Sequence, residues 1–335
     1  MICVLGDLHL RSDKDYFIET CKKFISWFST WKYNTKGNNL ILAGDLVEQA
    51  APGGLTISFL EQFINASRFD SVHICVGNHD EKKINCISQL AYEFLNEKPN
   101  VFIYKKATEI CIENKKILVL PYYVGINELG LVMNEYYSSL YKNRAFRGNH
   151  DLIVGHFAGE DCSFAGAPDC IQNLDKLKGR LCLGHIHVRD ANPSRYIGSV
   201  FACRKNENDS TRAAWILGDD DVIEDRLPMF NEFLTVSYPN PLPSSNALVP
   251  IYTISNCGNE STAKSLYGDI FIRKITASSE DVSLAKKEFL ERQFLSIKDI
   301  NMLDLFKDFL SSRETPFSTE VVKECNSALE KFVIH

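Results

Sequence analysis

No run of apolar residues in this 335-residue chain approaches membrane-spanning length, so a protein embedded in a bilayer is not expected. The start, Met1-Ile2-Cys3-Val4-Leu5, lacks the basic segment and longer apolar region of a signal peptide, and reads as a buried strand. None of the 11 cysteines falls in a C-x-x-C pair, and their number is odd. Zinc ribbons, dithiol redox motifs and a secreted disulfide framework are thereby disfavoured, and a reducing cytoplasm is the expected compartment. Cys3, Cys75 and Cys182 lie inside apolar runs, where a thiol behaves as a small hydrophobe. An excess of basic charge is also missing. There are 37 Lys and Arg against 43 Asp and Glu, a net charge of −6, which counts against a nucleic-acid surface unless bound cations supply positive charge locally. The nearest approach to a phosphate-binding loop, Gly258-Asn-Glu-Ser-Thr-Ala-Lys-Ser265, lacks the glycine before its lysine, so the chain carries no ATPase motif. No internal repeat is visible.

What is present suits a globular protein with a sizeable core: 45 % of residues are hydrophobic and 24 % charged. The length predicts one large domain with small appendages. Short aliphatic runs at Ile2–Leu5, Leu40–Ala43, Val72–Val76, Ile117–Leu120, Leu152–Val154 and Leu181–Leu183 read as strands. Helical spacing appears over Tyr16–Trp31, Ile57–Ile64, Ile84–Leu95 and Glu128–Tyr141. The alternation predicts an α/β domain with buried central strands. A loop-forming stretch, Tyr238-Pro-Asn-Pro-Leu-Pro-Ser-Ser-Asn246, precedes a small unit with strands at Ile251–Ser255 and Asp269–Ile275 and a helix near Thr262–Tyr267. Helices follow near Val282–Phe294, Ile300–Leu310 and Thr319–Phe332.

The chemistry is carried by a repeated local pattern. Five apolar runs end in glycine, and a metal-ligand type of residue follows at once: Gly6-Asp7 with His9, Gly44-Asp45, Gly77-Asn78-His79-Asp80, Gly155-His156, and Gly184-His185-Ile186-His187. A strand ending in glycine can turn sharply, and ligand sites form at the carboxyl ends of strands in α/β sheets. One Gly-Asp is usually only a turn, but five repeats of one form are not readily dismissed. Carboxylate, amide oxygen and imidazole suit two divalent cations, and an aspartate with two oxygens is the natural bridge. Gly-Asn-His-Asp occurs a second time at 148–151, but there it precedes an apolar run, so His150 is expected to be a surface loop residue away from the site.

The order D-x-H, G-D, G-N-H-D, G-H and G-H-x-H resembles the calcineurin-like metallophosphoesterase superfamily over roughly the first two thirds of the chain. The resemblance implies a metallophosphoesterase α/β/β/α sandwich with a dinuclear centre. One metal would be held by Asp7, His9, Asp45 and His187, and the other by Asp45, Asn78, His156 and His185. His79 would be the catalytic histidine that does not bind metal, with Asp80 orienting it. The cofactor implied is a pair of divalent ions, Mn²⁺ or alternatively Mg²⁺.

Arg195-Tyr196-Ile197-Gly198-Ser199-Val200 and Leu227-Pro228-Met229-Phe230 further resemble the SbcD-type DNA nuclease subunits, nearest to their short phage and bacterial versions. This implies an exonuclease and endonuclease acting on DNA in recombination, repair or replication, a homodimer, and an SbcC-like coiled-coil ATPase as partner. Glu48 stands where many members have histidine, which leaves the balance of the two nuclease activities open. The domain reading is a nuclease domain over 1–226, a small α+β capping domain over 227–294, and a C-terminal helical pair over 295–335 that either binds the ATPase or covers the cap. The alternative activity is a calcineurin-like phosphatase or nucleotide phosphodiesterase without a DNA role.

Overall fold

The computed structural model describes residues 1–84, 87–122, 149–159, 170–171, 177–188, 195–208, 212–218, 221–257 and 259–276. The elements in chain order are β1 (Ile2–Leu5), α1 (Asp15–Thr30), β2 (Asn39–Leu42), α2 (Gly54–Ala66), β3 (Ser71–Cys75), β4 (Glu81–Ile84), β5 (Ile87–Leu90), β6 (Val101–Tyr104), β7 (Thr108–Ile112), β8 (Lys115–Leu120), β9 (Leu152–His156), β10 (Ala158–Gly159), β11 (Cys170–Ile171), β12 (Arg180–Gly184), β13 (Ala213–Leu217), β14 (Val222–Arg226), β15 (Asn231–Ser237), β16 (Val249–Ser255), α3 (Glu260–Tyr267) and β17 (Phe271–Thr276). The helices expected at 128–141, 282–294, 300–310 and 319–332 lie outside the described residues.

The architecture is a mixed α/β sandwich. A six-stranded sheet runs in the order β14-β13-β1-β2-β3-β6, and a four-stranded sheet in the order β12-β9-β8-β7. Within the first, β1, β2, β3 and β6 are parallel; within the second, β12, β9 and β8 are parallel. Near-continuous aliphatic strands require cover on both faces. Alternate residues of the first sheet (Ile2, Val4, Ile41 and Cys75) meet Ile117, Val119, Val154 and Cys182 of the second, forming the core between the sheets. The opposite residues (Cys3, Leu5, Leu40, Leu42, Val72 and Ile74) pack on α1 and α2.

Helix α1 forms because Phe17, Cys21, Phe24 and Phe28 recur at helical spacing, all of them buried. Phe24 and Phe28 stack against Phe63 of α2 at ring-centroid distances of 5.5 and 4.4 Å. Truncating Phe24 to alanine would cost about 3–5 kcal/mol by opening that layer. Three parallel strands, β15-β16-β17, form a separate sheet with α3. Phe233, Val249 and Ile251 of this sheet bury Tyr16 and Phe17 at the start of α1. Among the described residues no helix is long and apolar enough to cross a membrane.

Two expectations need correction. The stretch Ile84–Leu95 is not a helix. It contributes to β4 and β5, which pair antiparallel, and among the described residues its only helical turn begins at Glu93 and is of the tighter 3-10 type. Over so short a run, apolar residues fit either period, and tertiary packing decides: Leu90, Tyr92 and Leu95 all reach the core on the helix side. The apolar run Ala213–Leu217, beyond the last motif, is a wholly buried strand pairing antiparallel with β1, an element the sequence reading did not assign.

Candidate dinuclear metal centre

The carboxyl ends of β1, β2 and β3 in one sheet, and of β9 and β12 in the other, converge on one place. The loops after β1 and β2 stay laced together by His9 N–H to Asp45 O and Leu10 N–H to Leu46 O, both 2.9 Å. Tyr122 N–H donates to Val76 O at 2.8 Å and ties the second sheet to the end of β3. The chain is bent hard here. Asp7, His9, Asp45 and His185 have φ of 24, 42, 49 and 80°, the left-handed region that side chains rarely adopt. Such strain persists only where the surroundings impose it, and it marks functional sites. Close approach also needs glycine. A Cβ on Gly77 would lie 2.1 Å from Asp45 Oδ1, and one on Gly44, itself at φ 96°, would lie 2.1 Å from His156 Nδ1.

Asp45 is central. Its Oδ1 accepts the His79 backbone N–H at 2.9 Å. Its Oδ2 lies 3.2 Å from His156 Nε2 and 3.5 Å from His9 Nε2. Oδ2 thus faces histidines on both sides, while Oδ1 is taken by the His79 amide. On one side His9 Nε2 and His187 Nε2 face each other at 2.9 Å, and Asp7, His9 and Asp45 bring ligand atoms within 4.8 Å of one another. On the other side Asn78 Oδ1 lies 3.0 Å from His156 Nε2 and 2.9 Å from His185 Nδ1. All seven residues expected to bind metal are thus in one cluster, divided about Asp45.

The donors fit divalent cations. Asp7, His9, Asp45 and His156 are essentially without solvent exposure. Asp7 Oδ1 accepts the His185 N–H at 2.9 Å, but Oδ2, equally buried, has no hydrogen-bond partner among the described residues. An orphaned buried carboxylate oxygen is costly unless a cation satisfies it. Outer contacts aim the rings. His156 Nδ1 donates to Ala43 O at 2.7 Å, which leaves Nε2 with its lone pair toward the site. Burial opposes charge on His156, yet the Asp45 and Asp7 carboxylates outweigh it and push its pKa up to about 9. Burial likewise opposes ionised Asp45, but the facing His156, His9 and His79 hold its carboxyl well below the usual carboxylate range.

Asp80 sits differently from expectation. His79 is half-buried at the edge of the cluster, its ring edge-on to His9 at 5.0 Å. Its Nδ1 donates to the Glu48 carbonyl oxygen at 2.7 Å, not to Asp80. The Asp80 carboxylate is turned inward, accepting N–H groups from Gly77 and Leu46 at 2.8 Å and Val47 at 3.3 Å. Asp80 therefore holds the turns after β2 and β3 together. It does not orient the imidazole directly. Its role could not be read from adjacency in sequence, because neighbouring side chains in a turn point different ways.

His150 lies at the amino end of β9, opposite His156, but it is buried rather than a surface loop residue. Its Nε2 pairs with Glu109 Oε2 at 2.9 Å.

Three further residues bear on the centre, and two of them, Glu207 and Arg212, escaped the sequence reading. Glu207, only 4 % exposed, pairs through Oε1 with His187 Nδ1 at 3.0 Å and so orients that ring. It lies in an ordinary polar run, Arg204-Lys-Asn-Glu207, with nothing to flag it. Glu48 Oε2 approaches His9 Nδ1 at 3.0 Å without the direction of a hydrogen bond, so the contact is electrostatic, and Arg11 Nη1 flanks the same oxygen at 3.3 Å. Arg212 donates to Ser199 O and Oγ at 2.7 Å. Ser199 N–H in turn meets His187 O, and Val200 N–H meets Asp7 O, both at 3.2 Å. The Tyr196–Ser199 stretch is thereby the backing of the ligand loops.

Buried carboxylates and imidazoles grouped in this way at the ends of two facing sheets define a metal-dependent hydrolase centre. Residues 1–189, more than half of the chain, match the family of calcineurin-like phosphoesterases, and the chain belongs to that family. Among solved structures it is similar to a protein of unknown function from Aquifex aeolicus, at 16 % identity and a TM-score of 0.29, covering 51 % of this chain and 89 % of that one. It is similar also to Vps29 from Entamoeba histolytica complexed with zinc, at 13 % identity and a TM-score of 0.29, covering 68 % and 97 %. Both likenesses are too weak to carry any inference about this chain. No curated protein matches it.

Proposed function

We propose that this chain hydrolyses phosphoesters with two divalent cations, one held by Asp7, His9, Asp45 and His187 and the other by Asp45, Asn78, His156 and His185. The observation that carries this reading is Asp45 Oδ2, which lies between His9 Nε2 and His156 Nε2 at 3.5 and 3.2 Å. When bound, the cations supply Lewis acidity, lowering the pKa of water and offsetting charge on the phosphate oxygens. The protein's own residues do the rest. His156 and His187 are held in one orientation by Ala43 O and Glu207. In this reading His79, tethered to the Glu48 carbonyl, donates a proton to the leaving oxygen or holds charge on the phosphate.

The finer proposal is that the phosphoester is in DNA, cleaved with Mn²⁺ by an SbcD-type nuclease. The Tyr196–Ser199 stretch supports it. So does the three-stranded unit, which packs on Tyr16 and Phe17, beside the Arg11–Asp13 segment leading out of the centre. In this proposal 227–294 caps the nuclease domain and 295–335 docks an SbcC-like ATPase, in a homodimer. The net charge of −6 favours the second reading, a phosphatase or nucleotide phosphodiesterase with no DNA role.

One panel separates them: linear duplex DNA, circular single strands, a small aryl phosphodiester and a phosphopeptide, each with Mn²⁺ and with EDTA. Mn²⁺-dependent shortening of linear DNA supports the nuclease. Cleavage of the small ester or phosphopeptide alone selects the second reading, and inactivity on all four under metal-loaded conditions removes both.

A further inference from the structure

Among the described residues Cys3, Cys21, Cys75, Cys182 and Cys257 are buried, and Cys203 is only partly so. It ends the short apolar run Val200-Phe201-Ala202, just before Arg204 and Lys205. Its ligand atom forms a group with those of His9 and His187, all within 4.8 Å of one another. The arrangement is built rather than incidental. Glu207 Oε2 accepts the Cys203 backbone N–H at 2.7 Å, while Oε1 pairs with His187 Nδ1 at 3.0 Å. One buried carboxylate thus fixes the ligand histidine and the cysteine together. Arg212 closes the frame from behind, donating to Glu207 O at 2.8 Å. The thiol makes a long 3.9 Å contact with Phe201 O and meets the imidazole of His187. The group shares His9 with Asp7 and Asp45, and Asp7 brings the wholly buried Oδ2 that lacks a hydrogen bond among the described residues.

We infer that Cys203 is a further ligand to the cation on the His9 and His187 side, placing a thiolate sulfur among nitrogen and oxygen donors. The inference rests on the dinuclear reading given above. Coordination forms a sulfur–metal bond, and the thiol proton passes to solvent. Thiolate is a soft ligand that selects zinc and similar ions, whereas carboxylate and amide oxygen suit Mn²⁺ and Mg²⁺. The two halves of the centre therefore differ in kind: Cys203 makes the His9 side a zinc-preferring position, and Asn78 leaves the other side indifferent.

The test is a cobalt titration of the full-length, metal-free protein, read by absorption and by bound cobalt per chain. The wild type should bind two cobalt ions and show a sulfur-to-cobalt charge-transfer band in the near ultraviolet. Cys203→Ser should lose that band, keep the visible cobalt bands, and bind zinc roughly 10–100-fold more weakly, with Mn²⁺ affinity nearly unchanged. Should the variant misfold, alkylation of the wild type decides: one equivalent of zinc should protect Cys203 from iodoacetamide but not the exposed Cys111. Two bound cobalt ions without the band, a band that survives in Cys203→Ser, or unprotected Cys203 each overturn the inference while leaving the dinuclear reading in place. Failure to bind cobalt at all removes both.

Discussion

The tetrapeptide Gly-Asn-His-Asp occurs twice in this chain, and its two copies do opposite things. At 77–80 it follows the carboxyl end of β3. Asn78 there faces His156 and His185, His79 stands at the rim of the metal cluster, and Asp80 gathers three backbone N–H groups. At 148–151 it precedes β9. His150 there is buried against Glu109, and Asp151 Oδ2 accepts the Lys116 N–H at 2.7 Å. The residues are the same, and strand polarity separates them: in parallel sheets the carboxyl ends converge on the ligand site and the amino ends lie on the far side. A motif of ligand-type residues has meaning only together with the direction in which its strand runs.

The comparison can be broken at several points. The greatest loss is expected from Asp45→Asn. The amide still accepts the His79 N–H but gives up the charge that faces both histidine groups, so turnover should fall below detection and both cations bind more weakly. Normal metal content by mass spectrometry together with normal turnover would show that Asp45 is not the bridge. Next comes His79→Ser in the first tetrapeptide, which should retain two metals while kcat falls by about 10²–10⁴, the range of a positioned acid or charge stabiliser. Loss of one metal would instead place His79 among the ligands. Glu207→Gln keeps an acceptor near His187 but removes its charge, and should weaken metal binding or activity by roughly 10–100-fold. Calorimetric titration with Mn²⁺ measures it, and an unchanged affinity would reduce Glu207 to packing. The smallest effect belongs to the second tetrapeptide. His150→Ser should leave kcat and metal content unchanged and lower stability by about 1 kcal/mol, seen in urea unfolding, since its partner Glu109 is partly solvated. A large loss of turnover in this variant would mean that the two copies have been assigned the wrong way round.

What could be read without coordinates was local. Each ligand announces itself as a strand ending in glycine followed by Asp, Asn or His, because sharp turns and metal affinity are properties of single residues and their immediate neighbours. The apolar alternation likewise marked β1, β2, β3, β9 and β12 and the face of α1 that meets the sheet. The family followed from the order of those motifs. What the tertiary structure decided lies between residues far apart in the chain. It set the division of the ligands between two sheets, with Asp45 Oδ2 between them. It gave His79 its tether on Glu48 O, 31 residues away, in place of the adjacent Asp80. It turned Ile84–Leu95 into paired strand and a single tight helical turn, and it buried His150. Glu207 and Cys203 had no signature at all, since an acid in a polar run and a thiol at the end of a short apolar run are commonplace until folding brings His187 within 3.0 Å of the acid. The physical reason is the same in each case. Hydrogen bonds and coordination act over about 3 Å, and the sequence order of two residues says little about which of their atoms come that close.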